Sequence, residues 1–399
     1  MTGTDAADDS GLGSLVDALR EELVEVRRDL HRHPELAWQE ERTTALVAKR
    51  LEEAGVRVKM LPRSGLLADI GDGGPLVVLR ADMDALPVDD LTVDPWTSSI
   101  AGRAHACGHD VHTTALLGAG LVLADLHRRS PLRGRVRLLF QPAEEVMPGG
   151  ALELIATGAL DGVQRVFGLH CDPTLDVGRV GLRVGPMTGA ADSLKIRMTG
   201  HGGHTSRPHL TEDLTYAMAK LVVDLPAALS RRLDPRAGAS VVWGMVRAGS
   251  VMNVIPSSGE LAGTVRMLDP VAWEHAGALV QELIDQILAP YGVGNEVTYV
   301  RGVPPVVNDA DCTGLLAGAV ESVLGADGHV PTVQSLGGED FAWYLDSAPG
   351  AMGRLGTRSP GGPTYDLHQG DLRVDEQAVS VGAKVLAAVA LSATKVTAG

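Results

Sequence analysis

The spacing of apolar residues predicts helices at the start of the chain. From Ser14 onward, apolar positions recur at intervals of three or four residues and predict an amphipathic helix. A second helix is predicted over residues 43–54, before Gly55, a residue type that commonly follows a helix. Residues 1–12 lack this pattern, and we expect a flexible tail there. The positions that define the first helix are Leu15, Leu19, Leu23, Val26 and Leu30.

Short apolar runs then alternate with a helical stretch. Residues 76–80, 135–140 and 166–169 predict buried strands, and residues 113–128 predict a helix between the first two. This alternation is typical of a mainly parallel sheet covered by helices, and such sheets carry their functional groups beyond the carboxyl ends of the strands. The polar residues that follow these three strands are Asp82 and Asp84, Glu144 and Glu145, and His170.

The pattern changes near Met187. Six elements follow in the order strand, helix, strand, strand, helix, strand, which is the order of a ferredoxin-like βαββαβ unit. We therefore predict an α/β fold in which residues 13–187 and 304–399 form a discontinuous catalytic domain and residues 188–303 form an inserted domain. The six elements are predicted at 192–199, 211–229, 240–247, 260–267, 271–289 and 296–301.

Composition narrows the class of protein. In a chain of 399 residues, 45% hydrophobic content is enough for large cores and excludes a disordered chain. The net charge of −15 argues against nucleic acid or an anionic membrane as a partner, and 3% aromatic residues offer few stacking surfaces. Three cysteines, no leader-like start and no apolar stretch of about 20 residues lead us to expect a soluble cytoplasmic protein.

The densest candidate chemistry lies between His105 and His112. In an extended segment, Cys107 and His109 would point the same way, with Gly108 allowing a close backbone approach. A thiolate and an imidazole suit zinc or a similar transition metal. Taken alone, the segment fits a metal site and a buried thiol beside a helix-capping histidine equally well.

Glu144 and Glu145 directly follow a predicted strand. Because adjacent side chains diverge, we expect one carboxylate to bind a metal and the other to act as a general base. Alone, this pair would be a solvated acidic pair at a helix start, and His170 and His368 would be structural histidines. Their shared position at one edge of the sheet, with His368 added from the tail, favours a dinuclear metal site.

Ten motifs together resemble a known family. They occur in family order from about residue 30 to residue 376, nearly the whole chain. The resemblance is to the aminoacylase, hippurate hydrolase and indoleacetyl-amino-acid hydrolase branch of the two-metal peptidase–amidohydrolase superfamily. The motifs are LHRHPEL, LRADMDALPV, HACGHDVHTT, QPAEE, GLH, GHGGHTSRPH, NVIP, GTVR, GGEDF and His368.

The resemblance implies a role for each matching residue. Glu144 matches the general base, Asp84 a residue that orients a metal-site side chain, and His204 a histidine from the inserted domain that stabilises the tetrahedral intermediate. Asn253 and Arg266 match residues that bind the carboxylate or carbonyl of the substrate. Two divalent ions are implied, zinc or manganese ahead of nickel or cobalt. Their ligands would be Cys107, His109, Glu145, His170 and His368.

The resemblance also implies the activity and the assembly. The fold would be zinc-peptidase-like, and the insert would be a lid and dimerisation domain that makes a homodimer or a higher homo-oligomer. The expected reaction is hydrolysis of small N-acyl-L-amino acids, such as N-acetyl or N-benzoyl compounds, to a carboxylate and a free amino acid. A metal-activated water would attack the amide.

Three alternatives remain. The first is a dipeptidase or carboxypeptidase on the same scaffold, the second a thiol amidase with Cys107 as nucleophile, and the third a binding protein without activity. Leu372 stands where relatives commonly have an aromatic residue, which leaves the acyl group open. Cys171 has no role that the sequence assigns.

Overall fold

The computed structural model describes residues 9–395. They divide into two compact units. Unit 1 comprises the described residues up to Gly185, then residues 307–333, then those from Trp343 onward. Unit 2 comprises residues 186–306 and 334–342.

Helices and strands alternate along most of the described chain. The helices are α1 (Asp9–Ala18), α2 (Arg20–Arg32), α3 (Glu41–Glu53), α4 (His109–Arg129), α5 (Gly150–Ala156), α6 (Leu214–Arg232), α7 (Pro270–Leu288), α8 (Ala310–Leu324), α9 (Ala342–Leu345) and α10 (Gln377–Ala393). The strands are β1 (Arg57–Met60), β2 (Leu66–Ile70), β3 (Leu76–Asp82), β4 (Arg135–Gln141), β5 (Val163–Asp176), β6 (Val180–Leu182), β7 (Gly185–Pro186), β8 (Ala190–Thr199), β9 (Gly203–His204), β10 (Ser240–Ala248), β11 (Val254–Ile255), β12 (Ser258–Met267), β13 (Gly294–Val303), β14 (Val307–Asn308), β15 (His329–Pro331) and β16 (Gly350–Arg358).

The start of the chain differs from the prediction. A tail over residues 1–12 is wrong for residues 9–12, because α1 begins at Asp9, and residues 1–8 lie outside the described residues. Leu12 and Val16 are fully buried in the hydrophobic core of unit 1, so burial holds a turn of helix that the flanking glycines obscured in the sequence. The single helix predicted from Ser14 is divided, since α2 starts at Arg20.

An eight-stranded sheet forms the centre of unit 1. Its strand order is β1-β2-β4-β3-β5-β16-β6-β15. The central strands β4, β3, β5 and β16 run parallel, whereas β1 and β2 form an antiparallel edge. Helices α4 and α10 pack against each other and against β3 and β5. The predicted mainly parallel α/β sheet with flanking helices is confirmed.

The register of this sheet places the ends of β3 and β4 side by side. Asp82 is opposite Gln141, and Arg80 is opposite Gly168 of β5. His170 was predicted to follow a strand, but it lies inside β5. The strand continues because Cys171 and the residues after it pair with β16.

Unit 2 contains an antiparallel sheet in the order β10-β12-β8-β13. Helices α6 and α7 pack together against this sheet. Along the chain the main elements follow as β8, α6, β10, β12, α7 and β13, which is the predicted βαββαβ order. Along β8 the side chains of Leu194, Ile196 and Met198 are buried, whereas those of Lys195 and Arg197 point to solvent. This alternation is what one apolar face of a two-layer domain requires.

Residues 334–342 belong to unit 2, although the sequence division placed them in the catalytic domain. The Gln334 side chain donates hydrogen bonds to the carbonyl groups of Thr188 and Leu268 at 2.9 and 3.1 Å. The backbone N–H of Gly189 donates to the carbonyl of Gly337. Hydrogen bonds of this kind, between residues far apart in the chain, leave no periodic signal in a sequence.

Within residues 9–395, no helix combines the length and apolar character needed to cross a membrane.

Candidate metal centre and substrate-binding residues

Unit 1 gathers potential metal ligands into overlapping groups. Ligand atoms of Cys107, His109 and His170 lie within 4.8 Å of one another. Glu145 and His368 form a second such group with Cys107, and Glu145 forms a third with His109 and the neighbouring Glu144. All five residues that the resemblance implies as ligands therefore lie in one connected cluster.

Cys107 and His109 converge through a turn and not through an extended segment. Gly108 has φ +84°, and α4 begins at His109, so the expectation of an extended chain here is wrong. A Cβ atom on Gly108 would lie 2.7 Å from Cys171 Sγ, closer than side chains pack. Glycine therefore supplies both the left-handed backbone and the close approach that start the helix at this point.

His170 presents one ring nitrogen to Cys107. Its Nδ1–H donates to the carbonyl oxygen of Cys171 at 2.8 Å, and its Nε2 lies 3.6 Å from Cys107 Sγ. The carbonyl thereby fixes the tautomer and leaves the Nε2 lone pair facing the cluster. Burial, reinforced by the nearby guanidinium of Arg354, keeps the pKa of His170 well below its usual value. A neutral imidazole is the form that binds metals.

His109 is fully buried, and neither of its ring nitrogens has a hydrogen-bond partner among the described residues. Nδ1 lies 3.4 Å from Asp84 Oδ1, and Nε2 lies 3.8 Å from Glu145 Oε1. Burial disfavours the imidazolium, but the carboxylates of Asp82, Asp84 and Glu145 outweigh burial and raise the pKa of His109 to about 10.

The surroundings of His109 fit a divalent cation. Orphaned buried polar atoms are rare in proteins and need a partner. Here the orphans are both nitrogens of His109 and Oε1 of Glu145, in a field of carboxylates that attracts positive charge. Imidazole, carboxylate and the nearby thiol of Cys107 form a donor set that suits zinc and related metals.

A neighbouring group, made of Asp82, His109 and His112, does not suit a metal in the same way. Asp82 Oδ1 accepts from His112 Nδ1 at 2.5 Å, and Oδ2 accepts from Arg80 Nη1 at 2.7 Å. His112 Nε2 accepts the backbone N–H of Cys171 at 2.7 Å. Because their polar atoms are already paired, Asp82 and His112 form a supporting network beneath the cluster, and the sequence assigned neither of them such a role.

His368 reaches the cluster from the C-terminal part of unit 1. It adopts φ +63°, which non-glycine residues rarely do, and its backbone N–H donates to the Ala106 carbonyl at 2.7 Å. Nε2 of His368 lies 3.3 Å from Glu145 Oε1, and this carboxylate raises the pKa of His368. The backbone bond beside Cys107 explains how a residue so distant in sequence is held there.

Asp84 contacts both candidate glutamates through their backbone. Its Oδ1 accepts from the N–H of Glu144 at 3.0 Å, and its Oδ2 accepts from the N–H of Glu145 at 2.9 Å. Asp84 also lies beside His109. The role expected for Asp84 is to orient a metal-site side chain. Among the candidate ligands, Asp84 contacts two that it could orient, Glu145 through its backbone and His109 at its ring.

The three remaining candidates lie in unit 2. His204 on β9 pairs with Val254 on β11, and the N–H of Thr205 donates to the carbonyl of Asn253. The exposed His204 side chain accepts at Nδ1 from the N–H of Ser206, which leaves Nε2 to donate a hydrogen bond. His204 and Asn253 are thus neighbours.

Arg266 lies on β12, and one of its guanidinium nitrogens donates to the carbonyl of Leu336 at 2.6 Å. Leu336 belongs to the 334–342 segment of the same unit. This bond anchors one arm of the guanidinium in unit 2.

The sequence model of Peptidase family M20/M25/M40 matches residues 78–392. This chain belongs to that family. An N-acetyl-L-cysteine deacetylase of Bacillus subtilis is 38% identical over 364 residues, which cover 90% of this chain and 85% of that protein. The crystal structure of a dinuclear metal-binding M20 peptidase from Bacillus subtilis superposes with a TM-score of 0.82 at 33% identity, covering 95% of this chain and 99% of that one. The chain is a metallo-amidohydrolase.

A third relative of this M20 chain is longer. A protein of Rhodococcus jostii that is named as a glutamate–cysteine ligase is 50% identical over 369 residues. These residues cover 92% of this chain but 46% of that protein, so the chain spans about half the length of this relative.

The environment of Cys107 in this M20 chain argues against a thiol amidase. Burial, followed by the charges of Glu145 and Glu144, raises the pKa of the Cys107 thiol well above its usual value. A nucleophilic cysteine needs the opposite shift, since the thiolate is the reactive form. A bound cation would supply the positive charge that stabilises this thiolate as a ligand.

Proposed function

We propose that this M20 amidohydrolase cleaves N-acyl-L-amino acids to a carboxylate and a free amino acid. The observation that carries the proposal is the connected cluster of Cys107, His109, Glu145, His170 and His368, with Glu144 beside it. An inactive binding protein has no need of a general base next to a complete set of ligands.

The five cluster residues would hold two divalent cations. Such cations polarise an amide carbonyl and lower the pKa of a water molecule, which are the two things that amide hydrolysis needs. We propose zinc or manganese. The soft sulfur of Cys107 favours zinc, whereas carboxylate and imidazole ligands also suit manganese, and nickel or cobalt come after these.

Glu144 is the proposed general base and acid. Its Oε2 lies 4.0 Å from His109 Nε2, so it adjoins the ligands and can take a proton from water and pass it to the leaving amine. The bond from its backbone N–H to Asp84 fixes the start of its side chain. A carboxylate placed in this way raises the rate most when it keeps one orientation throughout the reaction.

Residues of unit 2 would recognise the substrate. The planar guanidinium of Arg266 can bind a carboxylate with two parallel hydrogen bonds, and Asn253 can donate to a carbonyl. His204, with Nε2 able to donate, would stabilise the negative oxygen of the tetrahedral intermediate. We propose that this unit serves as the lid over the substrate.

The identity of the acyl group is also a proposal. The deacetylase relative acts, by its name, on N-acetyl-L-cysteine, and the longer relative is named for a reaction of cysteine. We therefore propose N-acetyl-L-cysteine as the first substrate to test.

Leu372 is buried in unit 1, and its N–H donates to the carbonyl of Gln369, so it supports the loop that carries His368.

Unit 2 also offers a surface for a homodimer. Strand β10 is an edge of the sheet, and Val242 and Val246 on it are 60% and 57% exposed. Edge strands with exposed β-branched residues readily pair with a second copy. We propose a homodimer formed through this edge.

We also propose a cytoplasmic location, supported by Cys107, Cys171 and Cys312, which are all buried free thiols.

A substrate panel tests the proposed reaction. The protein is stripped of metal, resupplied with zinc, manganese, nickel or cobalt, and assayed for amino acid release from N-acetyl, N-benzoyl and longer N-acyl amino acids. Free dipeptides form the comparison arm, because their ammonium group needs an acidic partner that an N-acyl substrate does not. We expect metal-restored turnover of the N-acyl compounds. Preference for dipeptides would favour the alternative of a dipeptidase or carboxypeptidase on the same scaffold.

A further inference from the structure

Glu40 is a buried carboxylate that neither the sequence motifs nor the proposed reaction uses. Its side chain is 0% exposed at the N-terminus of α3, and both of its oxygens are engaged. Oε1 accepts from the backbone N–H of Ala143 at 2.8 Å, and Oε2 accepts from the hydroxyl of Ser64 at 2.6 Å. A fully buried carboxylate is costly to place, so its partners indicate what it holds.

Ala143 directly precedes the two candidate catalytic glutamates and has an unusual backbone. Its φ is +57°, in the left-handed region that non-glycine residues seldom occupy. Such a conformation persists only where the surroundings hold it, and it is found often at functional sites. The N–H of Ala143 donates to Glu40, and its carbonyl accepts from the N–H of Gly150, so both of its backbone groups are fixed.

A second set of contacts joins Glu40 to the same stretch of chain. The Thr44 hydroxyl donates to the Glu40 carbonyl at 2.5 Å and accepts from the N–H of Gly65 at 2.8 Å. A Cβ atom on Gly65 would lie 2.6 Å from the carbonyl oxygen of Phe140, so this segment packs directly on the end of β4. The hydrogen bonds around Glu40 therefore hold the segment that packs against the backbone leading into Glu144.

Asp84 holds the next two residues of the same stretch of chain. It accepts the backbone N–H groups of Glu144 and Glu145, the two residues that follow Ala143. Three successive N–H groups are thus held by two buried carboxylates. The direction in which the two glutamate side chains leave the backbone is set by these bonds and by the left-handed turn at Ala143.

We propose that Glu40 is a positioning residue that sets the orientation of Glu144 and Glu145 through the backbone of Ala143. The inference deepens the proposed function and rests on it where Glu144 is taken as the general base. The Glu40 side chain accepts its hydrogen bonds from Ala143 and Ser64, which are not among the candidate metal ligands. Glu40 acts on the geometry of the loop. This role requires a side chain that places an acceptor oxygen within hydrogen-bond distance of the Ala143 N–H.

Three substitutions separate this role from general support of the core. Glu40→Gln keeps an acceptor for Ala143 and an amide that donates to Ser64. Glu40→Asp keeps the charge but shortens the reach, and Ser64→Ala removes the other partner while leaving the bond to Ala143 in place. On the best substrate of the panel we expect Glu40→Asp to lower kcat by roughly 10- to 100-fold, the range typical of losing a supporting hydrogen bond at a metal site. The KM of Glu40→Asp should change little. The kcat of Glu40→Gln and of Ser64→Ala should stay within about threefold of the wild-type value, a much smaller change than that expected for Glu40→Asp.

Hydrogen exchange gives a readout that needs no activity. We expect peptides that cover residues 141–150 to exchange faster in Glu40→Asp than in the wild type, and at the wild-type rate in Glu40→Gln. Equal loss of kcat in Glu40→Asp and Ser64→Ala, or unchanged exchange of residues 141–150 in Glu40→Asp, would overturn the inference. A wild-type protein inactive on the whole panel would contradict the proposed function alone, since the exchange experiment would still decide the role of Glu40.

Discussion

Asp84 holds Glu144 by its backbone: Oδ1 of Asp84 accepts the N–H of Glu144 at 3.0 Å. The second oxygen of the same carboxylate accepts the N–H of Glu145 at 2.9 Å. One buried side chain therefore fixes the relative position of the proposed base and the proposed ligand. The two glutamates can divide their tasks because the backbone between them is clamped.

The first prediction concerns this clamp. Asp84→Asn retains the shape of the side chain but leaves one acceptor oxygen for two N–H groups. We expect kcat to fall by roughly 10- to 100-fold, as is typical when support of a metal site is weakened. Turnover, metal content and thermal unfolding of the variant are to be compared with those of Asp72→Asn, a change at an exposed carboxylate. A variant with bound metal and wild-type kcat would show that the clamp has no catalytic effect.

The second prediction concerns pH and Glu40. Burial, reinforced by the charge of Asp84, raises the pKa of Glu40 from 4.5 to about 7. Between these values the folded protein keeps a proton that the unfolded chain releases, so Glu40 contributes most stability below pH 4.5 and this contribution is lost as the pH rises to about 7. The loss amounts to about 3 kcal/mol.

Glu40→Gln removes this dependence. We measure the free energy of unfolding in urea with a chelator present. The value for Glu40→Gln minus that for the wild type should increase as the pH rises through this range. Glu41→Gln, at the exposed neighbouring position, serves as the matched control. Parallel pH profiles for Glu40→Gln and the wild type would contradict the prediction.

The third prediction concerns recognition of the carboxylate. Arg266→Lys replaces a planar two-pronged donor by a point charge, and we expect KM for N-acyl amino acids to rise about tenfold, equivalent to about 1.4 kcal/mol. For the matching substrates with a carboxamide in place of the carboxylate, KM should barely change. Arg236→Lys, at an exposed arginine of the same unit, is the control. An equal rise in KM for both substrates would indicate that Arg266 only supports the fold.

The fourth prediction concerns assembly. Val246→Lys places a charge on the exposed edge of β10, where it would disfavour pairing of two copies. We expect a dimer for the wild type and a monomer for the variant in analytical ultracentrifugation. Val93→Lys, at an exposed position of unit 1, should remain dimeric. A monomeric wild type would contradict the proposed interface.

Several features followed from sequence patterns because local periodicity reports burial. The strands that end near Asp82 and Gln141 are rich in bulky apolar residues, as largely buried parallel strands are, and the polar residues that follow them mark the functional edge. The βαββαβ order of unit 2 was readable for the same reason. Each of these signals lies within a single element.

Other features depend on contacts between distant residues. Glu40 and Ala143 are 103 positions apart, and no pattern near either residue indicates their hydrogen bond. The left-handed backbone of Ala143 and His368 is equally hidden, since glycine is the residue usually expected there. The pairing of His112 with Asp82 needed the fold as well, because it joins α4 to the end of β3.

The most direct test of the central claim is to measure metal content and turnover together in the wild type and in Glu144→Gln. The variant keeps the size of the side chain and removes its ability to take a proton. We predict two divalent ions per chain in both proteins, with turnover of N-acyl amino acids nearly abolished in the variant. Wild-type turnover in Glu144→Gln, or an active wild type without metal, would contradict the account.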